Sequence, residues 1–189
     1  MPDSAPPVLL LVDGYNVLGA WAELRPTGDR RKHDRQIPRH GLEASRRHLT
    51  ERLANYSALQ GYQTQLVFDA QYRDTPANQE VITTNLLIHY TDFGQTADTF
   101  IEKTCAALRH DLQYRRKRLI VATSDRAQQL TVVGYGAECM SAEGLVADID
   151  LVIQRLRRRQ SAKRPASRLL AHSLDPEAHK RLSDLRFGK

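Results

Sequence analysis

Cysteine is scarce in this chain of 189 residues, with only Cys105 and Cys139, and neither has a CxxC partner or a nearby histidine pair. That excludes a disulfide framework and a thiolate metal site. Both thiols lie in apolar stretches and are expected to be reduced core residues. The N-terminal MPDSAPP lacks the basic and apolar regions of a secretory signal. No apolar run reaches the ~18 residues of a membrane span, so a soluble, cytoplasmic protein without a membrane partner is expected. Nucleotide motifs are missing as well. There is no GxxxxGK[ST], so a P-loop is not expected. GYGAEC at Gly134 has two fingerprint glycines but precedes a strand instead of following one. The seven histidines contain no HExxH, which leaves a zinc hydrolase without support.

What the sequence does contain is an uneven charge. The net charge of the chain is +6, yet residues 155–189 hold 11 Lys and Arg against 3 Asp and Glu, while residues 1–154 hold 17 against 19. A slightly acidic body therefore carries a strongly basic tail. Such a segment is the footprint of a polyanion partner, because each neutralised phosphate releases counterions, although a tail that only confers solubility has the same composition.

Apolar runs predict strands at Val8 to Val12, Gln63 to Phe68, Leu86 to Tyr90, Arg118 to Ala122 and Ala137 to Met140. Helical spacing predicts a helix over Leu42 to Gln60, with Leu42, Leu49, Leu53, Tyr56 and Leu59 inward and Gly61 as its C-terminal cap. A second helix opens at Thr96 with Ile101, Cys105, Leu108 and Leu112 on one face. A third runs from Ala142 to about Arg159 after the N-cap Ser141, with Leu145, Ile149, Val152, Ile153 and Leu156 inward. Short strands alternating with helices predict an α/β sandwich around a mainly parallel sheet of about five strands. Arg25 to Gly41 reads as a basic loop. Residues 1–160 form the expected domain, and 161–189 a basic linker leading to a short helix that starts at Asp175-Pro176.

In an open parallel sheet, ligands bind beyond the carboxyl ends of the strands. Asp13 ends the first strand in VLLLVD and is followed by Gly14, Tyr15 and Asn16, which read as a turn. Asp69 ends the second strand and Asp125 follows the fourth. Asp98 lies just inside the helix that opens at Thr96, and Glu102 is one turn further on the same face. Each acid has a bland role open to it, as a helix cap, a dipole partner, a turn former or half of an ion pair. Together they would repel one another unless a cation sat among them. Mg²⁺ or Mn²⁺ among these acids resolves that repulsion and keeps waters for a phosphate substrate, with Asn16 orienting a ligand or water. Phosphodiester hydrolysis uses such a rim, and so does a phosphatase. Tyr15 stands where a haloacid-dehalogenase-like phosphatase would present a second Asp.

VDGYNVLGAW, TADTFIEK and VATSDRAQQ, in this order and spacing, resemble the YacP-like branch of the NYN-domain proteins, within the PIN-like nuclease superfamily. The resemblance covers about Val8 to Arg159. It implies a PIN-like α/β/α sandwich and a catalytic metal rim at Asp13, Asp98 and Asp125 with Asn16 beside it. Glu102, Asp69 and Ser124 are possible additional members. It further implies an endoribonuclease acting on messenger RNA, in one branch on the ribosome near the A site. RNA contacts are expected from Arg30, Arg31, Lys32, Arg35 and Arg39 in the basic loop, and from Arg157, Arg158, Arg159, Lys163 and Arg164 around the start of the tail. The competing readings are an RNA- or ribosome-binding factor that no longer cleaves, and a small-molecule phosphatase. Trp21 and Tyr15 are candidates for either core packing or base stacking, and RRKR from Arg115 to Arg118 for a solvated helix end or a phosphate contact.

Overall fold

A computed structural model of the chain describes residues 6–21, 39–69, 78–111 and 117–162. The chain divides into two compact units, Met1–Val152 and Ile153–Lys189. The first unit is built on β1 (Val8–Asp13), a strand buried along its whole length, as apolar side chains on both faces require of a central strand. It pairs in parallel with β2 (Gln63–Phe68) on one side and β5 (Arg118–Ala122) on the other. Beyond β2 lies β4 (Leu86–Tyr90), and beyond β5 lies β6 (Glu138–Met140), both parallel to their neighbours. An antiparallel edge strand, β3 (Asn78–Thr83), pairs with β4, so the sheet has six strands in the order β3-β4-β2-β1-β5-β6.

Five helices accompany the sheet: α1 (Gly14–Ala20), α2 (Arg39–Gln60), α3 (Ala97–His110), α4 (Arg126–Gly134) and α5 (Ala142–Ala162). Strand alternation sorts the side chains into two layers. Leu9 and Leu11 of β1, Val67 of β2 and Val121 of β5 pack with Ile101 and Cys105 of α3 and Val132 of α4. On the opposite face Ser57 of α2 donates to Thr64 of β2 at 2.7 Å, and Arg46 of α2 lies over the Phe68 ring. Tyr56 of α2 donates to Asp148 of α5 at 2.6 Å, which ties the last helix to the same layer. This is the expected α/β/α sandwich.

Several local expectations need correction. The residues after Asp13 form a seven-residue helix capped by Asp13, where the sequence reads as a turn. β3 escapes the apolar-run reading because NQEVIT lies on an edge with Val81 76% exposed, so no buried face imprints itself on the sequence. α2 begins at Arg39, inside the expected loop, and α5 runs on to Ala162. Leu59 is exposed because α2 has passed the edge of the core by its last turn, and Cys139 is exposed because β6 is the other edge strand. Val152, Ile153 and Leu156 are only half-buried. Leu112, Arg115, most of the 25–41 loop and everything after Ala162 lie outside the described residues.

Candidate acidic site

The carboxyl ends of β1, β2 and β5 lie side by side, and the site is assembled from the residues at and just beyond those ends. Asp13 is in phase with Leu9 and Leu11, so its carboxyl points to the α3 side of the sheet. It is only 8% exposed. Burial pushes its pKa up to about 6, the charges of Asp98 and Asp69 add to that, and the N–H groups of Asn16 and Tyr15 oppose it. Asp13 Oδ1 accepts the Asn16 N–H at 3.0 Å, the N-cap bond that starts α1.

Each residue of the DGYN segment has a separate physical task. Gly14 leaves room for the Phe68 ring, which a Cβ at this position would overlap. Tyr15 packs on Phe68 with ring centroids 5.2 Å apart, and its hydroxyl accepts from Arg46. Arg46, a buried cation on α2 that no local sequence pattern singles out, also lies over both rings. Asn16 reaches across the sheet end, where its Oδ1 accepts the Ser124 N–H at 2.8 Å. The β1–α1 corner is thereby tied to the β5–α4 corner.

Asp69 follows β2 and accepts the Ala97 N–H, which fixes the start of α3 against the end of β2. Its pKa is raised by burial and lowered by that bond. Asp98 sits next in the first turn of α3, where burial raises its pKa first, followed by the charges of Asp125, Asp69 and Glu102. Asp125 caps α4, its Oδ1 accepting the N–H groups of Ala127 at 2.8 Å and Gln128 at 3.1 Å. Ser124 donates to Glu143 at 2.6 Å and accepts from the Ala142 N–H at 3.0 Å, so Glu143, which no sequence motif singles out, joins the rim from α5.

The structure thus brings Asp98 within electrostatic reach of Asp13, Asp69, Asp125 and Glu102, and Asp13 within reach of Asp69. Among the described residues no group of three or more His, Cys, Asp or Glu is placed so that it could hold a metal ion. The donors are nonetheless hard oxygens whose repulsion a divalent cation would relieve, and Mg²⁺ characteristically takes one or two carboxylates with water and phosphate oxygens as its other ligands. In that sense the residues fit the ion. Clefts of about 410 and 290 Å³ open at the opposite, amino edge of the sheet, where Lys117 lines both.

Of the expected RNA contacts, Arg157, Arg158 and Arg159 are exposed on the part of α5 that belongs to the second unit. Arg30, Arg31, Lys32, Arg35, Lys163 and Arg164 lie outside the described residues, as does the side chain of Arg39. Trp21 is 2% exposed beneath Arg52, which makes it a core residue and excludes base stacking. Within RRKR, Arg118 is engaged by Glu138 at the amino edge, away from the acids.

A mainly parallel sheet between helical layers, with carboxylates gathered along its carboxyl edge, is the architecture of the PIN-like NYN domains, to which the matches with known proteins assign the chain. The chain belongs to the YacP-like NYN domain family, whose model matches residues 10–187. It is 30% identical over 170 residues to YacP of Bacillus subtilis (strain 168), covering 85% of this chain and 88% of that protein. It is similar in fold to the crystal structure of a mutant of Rae1 (YacP) from Bacillus subtilis, with a TM-score of 0.63 and 26% identity over 96% of this chain and 99% of that one. A second Rae1 (YacP) structure from the same organism gives a TM-score of 0.61 and 27% identity, covering 95% of each chain. No helix among the described residues is long and apolar enough to cross a membrane.

Proposed function

We propose that this chain is a cytoplasmic endoribonuclease that hydrolyses RNA phosphodiester bonds with Mg²⁺ or Mn²⁺, acting on messenger RNA on or near the ribosome. The observation that carries this reading is the gathering of Asp13, Asp69, Asp98 and Asp125 at the neighbouring carboxyl ends of β1, β2 and β5 and the starts of α3 and α4, where burial first and the neighbouring acids second raise the carboxyls of Asp98 and Asp13. Asp13, Asp98 and Asp125 are the residues that would hold the ion, with Glu102 and Asp69 at its margin. When bound, the ion supplies an activated water and charge stabilisation at the phosphate. Asn16 has its Oδ1 committed to Ser124, which leaves its Nδ2 amide to donate toward a phosphate oxygen or the attacking water. The basic loop and tail supply long-range attraction that an acidic rim cannot provide for RNA.

The test is a cleavage assay on RNA and on a small phosphate ester, each with and without EDTA. RNA cleavage abolished by EDTA and restored by Mg²⁺ or Mn²⁺ is the expected result. Binding without cleavage would turn the reading to a non-catalytic RNA- or ribosome-binding factor, and hydrolysis of the ester alone to a phosphatase. Comparing naked messenger RNA with translating ribosomes decides whether the ribosome is needed.

A further inference from the structure

The loop 91–96 leaves β4 beside the acidic rim and returns to it at the start of α3. Both feet are pinned. The Thr91 N–H donates to Phe68 O at 3.0 Å, and the Ala97 N–H at the other end donates to Asp69. Between them Thr91 Oγ1 donates to Gln95 O at 2.7 Å, Gln95 N–H to Asp92 O at 3.0 Å, and Phe93 N–H to Asp92 Oδ1 at 2.9 Å. Gly94 takes φ +80°, which closes the turn in a conformation L side chains disfavour. At the tip Phe93 is 89% exposed.

A single exposed apolar side chain is ordinary on a protein surface, so what sets Phe93 apart is its chemistry and its place. The other exposed large apolar side chains among the described residues are Leu59, Val81, Leu130, Val133 and Leu151, all aliphatic. Among these Phe93 alone offers a π face, and it does so in the short loop that ends at the acids. Every nucleobase has a π face, whatever its sequence, and unpaired RNA bases are characteristically gripped by stacking on aromatic side chains. The hydrogen bonds of the loop hold the backbone that carries the ring, so little backbone freedom is lost on stacking.

We infer that Phe93 is a stacking platform for an unpaired base adjacent to the scissile phosphate of the RNA substrate, an inference that rests on the nuclease reading of the acidic rim. The ring grips the nucleotide while the acids act on the phosphate next to it. This stacking requires single-stranded RNA at that position, because a base held in a duplex cannot present its face to the ring.

The experiment uses the full chain and a single-stranded RNA with 2-aminopurine placed in turn at each position flanking the cleaved bond. With Asp98→Asn preventing cleavage, one position should be quenched on binding, and the quench should vanish in Phe93→Ala and Phe93→Leu but persist in Phe93→Trp. In the otherwise native chain, Phe93→Ala and Phe93→Leu should raise KM by about 5-fold or more, the effect of losing one base stack, with Phe93→Trp restoring it. Thermal unfolding should not change. Wild-type KM and unaltered quenching in Phe93→Ala, in a chain that still cleaves RNA, would overturn the stacking role while leaving the nuclease reading intact. A loss seen only with ribosomes and never with naked RNA would overturn it in favour of a protein contact. A wild-type chain that does not cleave RNA at all defeats the nuclease reading, and this inference with it.

Discussion

The two ends of the sheet treat charge in opposite ways. At the amino edge, Arg118 donates to Glu138 from Nε at 2.8 Å and from Nη2 at 2.7 Å, a forked pair that holds the Glu138 carboxyl below its usual range. At the carboxyl edge, Asp13, Asp69 and Asp98 are all pushed above theirs, by burial first and for Asp13 and Asp98 also by neighbouring acids. The chain can evidently place opposite charges face to face where nothing else is asked of it. Gathering like charges at the other end costs stability, and such frustration persists where a ligand is to relieve it. The acids together therefore support the proposed site at this edge more firmly than any one of them does alone.

The comparison breaks most visibly in activity. Asp98→Asn or Asp13→Asn keeps shape but removes a charge that would hold the proposed ion, so cleavage should fall by about 100-fold or more. Arg118→Ala, at the amino edge, should leave it unchanged. Single-turnover cleavage of one RNA by the three variants measures this, and wild-type rates in both Asn variants would remove the rim from the mechanism.

Stability against pH gives the next largest effect. Asp13 binds its proton more tightly folded, at about 6, than unfolded, at 3.8. Its destabilising influence is therefore absent below the unfolded value, grows as pH rises between the two, and is complete above the folded one. At about 1.4 kcal/mol per pKa unit the cost at pH 7.5 is about 3 kcal/mol. Asp13→Asn should recover most of that at pH 7.5 and nothing at pH 3.5, as read by denaturant melts at the two values. An equal shift at both would mean that charge is not the cause.

A smaller effect is expected at the tether between the corners. Asn16→Ala removes the acceptor of the Ser124 N–H and should cost about 1 kcal/mol, while kcat falls more than RNA affinity does. A variant that unfolds readily but cleaves normally in its folded fraction would reduce Asn16 to a fold residue.

How much of this is legible in the sequence depends on where each signal originates. β1, β2 and β5 announce themselves because burial demands apolar runs, and Asp13 and Asp69 stand out because they come at the ends of two of those runs, with Asp125 three residues past the third. α1 does not, since Gly14 and Gly19 are poor helix formers and DGYN satisfies turn chemistry equally well; the helix exists because Asp13 caps it and Val17, Leu18 and Trp21 are buried. β3 leaves no trace for want of a buried face. Arg46 and Glu143 are invisible for a different reason, as single charges on helices whose partners, Tyr15 and Ser124, are remote in sequence.

The smallest effect is the one that tests the contrast itself. Arg118 and Glu138 are both exposed, with side chains 49% and 53% accessible, so water already screens each charge in the unpaired state. The forked geometry is good, but holding two long side chains in one arrangement offsets much of the attraction. Arg118→Ala, Glu138→Ala and the double variant should consequently unfold at nearly the same temperature, and the coupling between them should shrink further with added salt. Cleavage should match wild type in all three. A large coupling that resists salt would mean that the amino edge too stores electrostatic energy, and the asymmetry between the ends would be one of sign alone. A loss of cleavage in Arg118→Ala without loss of stability would be more serious, because it would carry the RNA path across to the edge that the charge pattern marks as inert.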